Sequence, residues 1–539
     1  MSNQDAEAAR AYHEATKLTY INLANKPPLY KTYSALPLIP LPPGFPSPET
    51  PALEAVSGRL ELGDAPSGDS SEEDQAGENG ILDVASLAQL LFYSAGLIRK
   101  ASVEAVGEVH YRAAASAGAL YPIDVYLVCQ DISGLEAGVY HFSPVDFALR
   151  PLRKGDYRAE LVEATGNDAT FADAPATLVF TANFWRSAWK YRARGYRYCY
   201  WDCGTMLANL MAVSASLRLP ANLVAGFVDE RMDQLLRIRG QQEGTICLVP
   251  IGTGGGQPSV IDLIEPAPLA ADTRDGSSER IDYPETDNIH QDSSLIDEEE
   301  VVEWRGLSPD ESPSDAESAP SARLPLLEAN GLASDPLGGV IHQRGSTRRF
   351  ARESISKAQF EAILTGSSRG TPSDFQGSDG SSLVDMYTIV HAVDGVPAGS
   401  YYFAPETGTL ELLREGDLRA RAGHLCFEQA LGADASAVTF FMADLEAIFQ
   451  RYGNRGYRAA QLEAGIVGGK MYLSAHSLGL GATGMTFYDD EVTEFFSPHA
   501  EGKSLMFLVA VGKAARPNRV RPFRSQIAVS LDALARGAS

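Results

Sequence analysis

The sequence predicts an α+β fold built twice: two tandem copies of one domain, each a mixed sheet flanked by helices, packed against each other as a pseudo-dimer. Three matches carry this expectation. "IDVYLV" (Ile123–Val128) matches "VDMYTI" (Val384–Ile389), "AGVYHF" (Ala137–Phe142) matches "AGSYYF" (Ala398–Phe403), and "KYRARGYR" (Lys190–Arg197) matches "RYGNRGYR" (Arg451–Arg458). The offset is 261 positions each time (384 − 123, 398 − 137 and 451 − 190). One constant offset marks an internal duplication rather than chance similarity. The first pair alternates like half-buried strands. After the third pair, "YCYWDCGTMLANLMAVSASL" and "AAQLEAGIVGGKMYLSAHSL" continue in register as a helical pattern.

Composition bounds what such a chain does. Its 539 residues suffice for two or three domains, each with its own core. A content of 44% hydrophobic and 21% charged residues is ordinary for a soluble globular protein. The net charge of −25 argues against nucleic acid and anionic membranes, which both attract basic surface. No apolar run is long enough to span a bilayer, and "MSNQDAEAARAYHEATK" lacks the basic start and apolar stretch of a secretion signal. A cytoplasmic location is therefore expected. The five cysteines, Cys129, Cys199, Cys203, Cys247 and Cys426, are an odd, sparse set that fits reduced thiols. Cys199 and Cys203 are spaced i,i+4, but no second ligand pair accompanies them, so they read as small core residues and no metal is expected.

Four segments follow. Residues 1–80 read as an extended Pro-rich arm ("YKTYSALPLIPLPPGFPSPETP") ending in an acidic loop (Gly63–Gly80). Residues 81–266 are the first folded copy. Residues 267–323, with "DEEEVVEW" and "SPDESPSDAESAPSAR", are too acidic and too rich in Ser and Pro to bury much apolar surface, and read as a disordered linker. Residues 324–539 are the second copy.

The two copies have lost complementary features. The second carries "RGSTRRF", in which Arg344, Ser346 and Arg348 alternate ahead of the helix "SISKAQFEAILTGS". Two guanidiniums and a hydroxyl beside helix N-terminal amides suit a phosphate. The first copy has acidic "SSEEDQ" (Ser70–Gln75) opposite them. The second also has "GLGATGM" (Gly479–Met485), whose glycines let backbone approach a ligand, and a C-terminal run with Arg516, Arg519, Arg521 and Arg524. The first has "RLPANLV", where Pro220 removes an amide donor, and ends "GTGGGQPS", with no arginine. Conversely, the first keeps "SAGALYP" (Ser116–Pro122) and the pair Lys190-Tyr191, where the second has "GSDGSSL" (Gly377–Leu383) and Arg451-Tyr452. Taken singly, each of these motifs is also what a tight turn, a helix cap or a solvated face looks like. Turns, caps and surface charges, however, have no reason to be lost in reciprocal sets. His110, His141 and His342 are recruited by no pattern.

These residues carry a family resemblance. The chain resembles the FMN-dependent nitroreductase superfamily and, more narrowly, the SagB/ThcOx-type azoline dehydrogenases, through "SAGALYP", "WKYRARGYRY" (Trp189–Tyr198), the Arg-x-Ser-x-Arg unit and the arm "YHEATK…YKTYS…LPLIPLP". Two departures are visible. Ala115 stands where that branch usually has Pro, and Arg-x-Ser-x-Arg and "SAGALYP" fall in different copies rather than the same one. The resemblance implies two tandem nitroreductase-like domains with the flavin at their interface, which resolves the second departure. One FMN per chain is then expected. Arg344, Ser346, Arg348, Thr483, Gly484, Met485 and a C-terminal arginine, Arg519 or Arg521, come from the second copy; Ser116, Ala117, Gly118, Ala119 and Leu120 come from the first. The opposite pseudo-site should be empty.

The resemblance also implies the chemistry: oxidation of a thiazoline or oxazoline to its azole in a ribosomally made peptide. Hydride passes to the flavin, with oxygen as the simplest terminal acceptor. Lys190, desolvated between Trp189 and Tyr191, is the candidate base and Tyr191 its partner. A peptide or carrier-bound substrate is implied, with room for a cyclodehydratase partner. A pseudo-dimer within one chain leaves the protein free to be a monomer. Two alternatives stay open: a flavin reductase of free nitro compounds, quinones or enones, and a non-catalytic scaffold of a peptide-modifying complex.

Overall fold

Each folded half is organised around one sheet whose central strand is the alternating segment read from the sequence: Ile123–Cys129 in the first half and Asp385–Val390 in the second. The computed structural model describes residues 6–17, 26–57, 82–103, 107–258, 280–306, 323–325, 332–376 and 382–516. The acidic loop Gly63–Gly80 and the arginines 519 and 521 lie outside the described residues.

In the first sheet the strands run in the order Ala148–Lys154, Gly138–Ser143, Ile123–Cys129, Ala176–Asn183, Glu243–Ile251, with Ile39–Pro40 of the arm added at the edge. The second has the same order in Thr409–Glu415, Gly399–Ala404, Asp385–Val390, Ala437–Ala443 and Ser504–Gly512. Arg323–Pro325 extends one edge of it and Gly481–Gly484 the other. Every pairing between these strands is antiparallel; parallel geometry enters through isolated bridges such as Ser346 with Ala482. The central strands are buried on both faces, so helices must cover each sheet twice.

The two halves meet through their longest helices, Gly195–Ser216 and Leu445–Ser477. Both are buried along most of their length, because each serves the core of its own half and the contact with the other. Glycines permit the approach. A Cβ at Gly204 would lie 2.5 Å from the Gly465 carbonyl carbon, and one at Gly465 would lie 2.8 Å from the Trp201 backbone. Gly204 and Gly465 are themselves 261 positions apart, so the contact falls on the local pseudo-axis.

Two expectations for the connecting segments need correction. Residues 280–306 of the linker are folded: helices Pro284–Asp292 and Glu298–Gly306 and the turn between them bury Ile289, Leu295, Val301 and Trp304. The acidic composition hid a sparse set of apolar anchors. The arm is not extended throughout. Glu7–Ala15 is a helix placed where both long helices begin, with the Ala9 amide donating to Asn454 Oδ1 at 2.9 Å and the Tyr12 hydroxyl donating to the Ala193 carbonyl at 2.5 Å. Ala52–Ser57 is a second short helix. Among the described residues no helix is long and apolar enough to cross a membrane, and all five cysteines are buried and unpaired.

Candidate active site

A cavity of about 600 Å³ lies between the halves, lined from the first by Ser116–Ala119, Lys190 and Tyr191 and from the second by Arg344, Ser346, Arg348 and Thr483–Met485. Pockets of this size suit a cofactor-sized ligand. Motifs more than two hundred residues apart in the chain thus face one cavity.

The "SAGALYP" turn is held from beneath by the first long helix. The Ser116 hydroxyl donates to Asp202 Oδ2 at 2.5 Å and the Ala117 amide to Oδ1 at 2.9 Å, while the Tyr121 amide donates to Ser116 Oγ at 2.9 Å. Gly118 takes φ 65°, which turns the chain back on itself. Burial is the main cause that lifts the Asp202 carboxyl to about 7, against the pull of its two hydrogen bonds. Leu120 departs from the expected set: its side chain is 2% exposed and packs into the core, because it sits where the turn rejoins the sheet.

Lys190 and Tyr191 end the helix Phe184–Tyr191 and face this turn. A Cβ on Gly118 would lie 3.1 Å from Lys190 Nζ and 3.0 Å from the Tyr191 hydroxyl, so a side chain here would crowd both groups. Partial burial, then the positive charges of Arg348 and Lys26, hold the Lys190 amine below its usual range. Burial, reinforced by Tyr198 and Asp202, pushes the Tyr191 phenol well up, so it stays protonated and can donate.

On the opposite wall Arg344 is 4% exposed and its Nε donates to the Ala113 carbonyl of the first half at 3.1 Å. Ser346 shares a hydrogen bond with the Tyr472 hydroxyl at 3.1 Å, and the Gly484 amide donates to that same hydroxyl at 2.6 Å. Gly484 is tight: a Cβ would lie 2.6 Å from the Phe507 ring. That ring stacks on Trp201 of the first half, centroids 5.1 Å apart. Among the described residues neither Arg344 nor Arg348 has a carboxylate at ion-pair distance. Uncompensated guanidiniums, aromatic walls and glycine-lined backbone form a donor set that fits an anionic, planar cofactor such as FMN.

Asp202, Arg99, Tyr472, Trp201 and Phe507 were not singled out from the sequence. Asp202 had a readable signal, a lone acid inside an otherwise uncharged run, "YCYWDCGTML". The others depend on which helix faces meet, and that is not written in local pattern.

The pseudo-symmetric place is filled by the chain itself. Tyr452 and Ala225 lie 261 positions from Tyr191 and Thr486. The Trp304 indole covers Tyr452, centroids 5.3 Å apart, and donates to its carbonyl at 3.1 Å. The Asp374 carboxylate accepts the Ala225 and Gly226 amides, each at 2.8 Å, and pairs with Arg305 at 3.1 Å. A folded stretch of the linker and a loop of the second half thus fill the pseudo-site that was expected to hold no flavin.

Comparison with known proteins decides the family. The nitroreductase family model matches residues 83–253 and again 341–513, together more than half of the chain. The chain belongs to the nitroreductase family. It carries the fold twice, as expected, and the family is one of oxidoreductases. A solved structure described as a "putative nitroreductase" from Anabaena variabilis superposes with a TM-score of 0.72 at 25% identity, covering 94% of this chain and 99% of its own. The "Putative nitroreductase MJ1384" of Methanocaldococcus jannaschii is 29% identical over 32% of this chain and 81% of its own length. The Microcin B17-processing protein McbC of Escherichia coli is 30% identical over 23% of this chain and 47% of its own length. The Trifolitoxin-processing protein TfxB of Rhizobium leguminosarum is 34% identical over 26% of this chain and 38% of its own length. The matches to these two peptide-processing proteins therefore span less than half of each.

Proposed function

We propose that this chain is an FMN-dependent dehydrogenase that oxidises thiazoline or oxazoline rings to thiazole or oxazole in a ribosomally made peptide. The observation that supports it most is the meeting of Lys190 Nζ and the Tyr191 hydroxyl at Gly118, on the same cavity as Arg344, Ser346 and Arg348. A nitroreductase that only relays hydride from a nicotinamide needs no base at that spot. The likeness to two peptide-processing proteins points the same way.

In this reading Arg344 and Ser346 hold the phosphate, with Arg519 or Arg521 as the C-terminal contributor. The Thr483–Met485 backbone and the Ser116–Ala119 turn line the ring. FMN, when bound, supplies a two-electron acceptor for the hydride leaving one ring carbon of the azoline. Lys190 takes the proton from the adjacent carbon. Its depressed pKa keeps a larger share of the amine neutral, and Arg348 and Lys26 maintain that depression. Tyr191 donates a hydrogen bond that orients the substrate or the amine. Trp201 and Phe507 wall the site against water. The substrate is a peptide or carrier-bound heterocycle, and a cyclodehydratase that makes the azoline is the natural partner.

The test is mass spectrometry of an azoline-bearing peptide incubated with the FMN-loaded protein in air. Loss of two hydrogens (~2 Da) per ring, abolished in Lys190→Ala, is expected. No mass change on any azoline peptide, beside rapid nicotinamide-driven reduction of a nitroarene or quinone, would return the protein to small-molecule reduction.

A further inference from the structure

The first half contributes a small antiparallel hairpin, Leu97–Val103 with Gly107–Arg112, that belongs to neither main sheet. Among the described residues the second half has no counterpart after its helix Lys357–Ser368. The hairpin's register shifts between Leu97 and Arg99, which breaks the regular alternation at Arg99. Arg99, Val109 and Tyr111 line the cavity.

Arg99 is unusual for a cation in such a position. Its guanidinium lies over the Tyr111 ring, 5.1 Å from the centroid. Its Nε is buried and has no hydrogen-bond partner. Burial lowers its pKa, and the groups that act on it after burial are the hydroxyls of Tyr121 and Tyr111 rather than carboxylates. Arg344, from the other half, stands close enough that Arg99 is, after burial, the largest cause holding Arg344 down at about 10. Asp124 of the same half is paired with Arg186 at 3.0 Å, and Asp202, an acid that lines the cavity, is taken up by Ser116 and Ala117. Two like charges are thus brought together from opposite halves, partly desolvated and without a counter-ion among the described residues. Holding them so costs free energy that folding alone does not return. A doubly charged anion between them would return it.

We infer that Arg99 is a cofactor-binding residue that grips the flavin phosphate from the first half while Arg344 and Ser346 grip it from the second. The phosphate subsite is then composite, as the ring subsite is, and the cofactor fastens the two halves together. This rests on the flavin reading of the cavity but not on the identity of the substrate.

The experiment compares FMN with riboflavin, which carries the same ring without the phosphate, by titration of flavin fluorescence against apoprotein. Arg99→Gln should weaken FMN binding on the order of 10- to 100-fold, the loss expected for one charge-assisted contact, and leave riboflavin binding unchanged. Arg99→Lys, which keeps the charge but not the fork, should fall between. Unchanged riboflavin affinity also reports that the variant is folded. Equal losses for both flavins, or no loss for FMN, would overturn the inference and assign Arg99 to the hairpin's own packing. A wild-type protein that binds neither flavin would instead overturn the flavin reading itself.

Discussion

Arg192 and Gly453 stand 261 positions apart and make the same break in the chain: φ 52°, ψ −145° at Arg192 and φ 58°, ψ −152° at Gly453. Each ends a short helix and lets the long helix begin at a new angle. In the first half the break follows Lys190-Tyr191 directly and so sets where those side chains point. This backbone region is favourable for glycine and costs other residues about 1–3 kcal/mol. Gly453→Ala should therefore lower the unfolding free energy by about that amount, read from urea melts. A neutral result would mean that the second half tolerates a straight helix there.

Lys190→Ala and Tyr191→Phe should retain flavin, seen by absorbance, while turnover on an azoline peptide falls by roughly 10²–10⁴-fold. A subtler check uses Lys26, whose charge is among the causes that depress the Lys190 pKa. A base works in its neutral form, so activity is lost as pH falls through its pKa. Lys26→Gln removes a repelling charge, raises that pKa, and should move the acid limb of the kcat profile to higher pH. A limb that stays in place would separate Lys190 from the titration that controls rate.

The crossing of the long helices should be the least forgiving contact in the molecule. Gly204→Leu would drive a side chain into the Gly465–Ile466 backbone, where even a Cβ meets atoms at 2.5 Å. Because the obstacle is backbone, the helices must separate. A loss of about 1–3 kcal/mol or more is expected, together with loss of flavin, since the cavity is shared across that contact.

The duplication and the reciprocal losses were legible because a constant offset needs no structure to be seen. They sufficed to bring Ser116–Ala119, Lys190, Tyr191, Arg344, Ser346, Arg348 and Thr483–Met485 to one cavity. Leu120 was misread because a turn motif does not say which of its side chains returns to the core. The linker was misread for a related reason. Trp304 and Val301 are the buried ones of three apolar residues in an acidic run, and composition weighs acids equally whether or not anchors stand among them. Only the cavity left at the second pseudo-site explains why Trp304 is buried. Arg99 was invisible because its meaning depends on Arg344, 245 positions away in sequence (344 − 99) and adjacent in space.

The plugged second site sets the flavin stoichiometry. With Trp304 over Tyr452 and Asp374 on the Ala225 and Gly226 amides, purified protein should carry one flavin per chain by absorbance. Arg344→Ala should abolish retention, since it removes a phosphate contact worth about 1.5–3 kcal/mol. Trp304→Ala should cost about 3–5 kcal/mol of stability by leaving a cavity, without adding a second flavin, because Asp374 still occupies the amides. Two flavins per wild-type chain would contradict the composite site.

Asp202 gives a prediction in which the direction of a pH effect is fixed beforehand. Its carboxyl is held up at about 7 from an ordinary 3.8, chiefly by burial. Between those values the folded chain keeps a proton that the unfolded chain has released. Stability must therefore fall as pH rises through that window and level off above it. Glu463, 261 positions on, accepts the Leu383 amide at 2.6 Å beneath the equivalent turn and is also held up at about 7 by burial. It pulls in the same direction, so the informative quantity is a difference. Asp202→Asn removes one ionisable group and keeps a side-chain oxygen to accept from Ser116 or Ala117. The unfolding free energy of the wild type minus that of the variant should decline from pH 4 to pH 7 by about 3–4 kcal/mol and stay constant from there to pH 9. Two parallel curves would mean that Asp202 is ionised throughout, with its two hydrogen bonds outweighing burial. The turn carrying Ser116 and Gly118 would then be held to the long helix by a charge rather than by a shared proton.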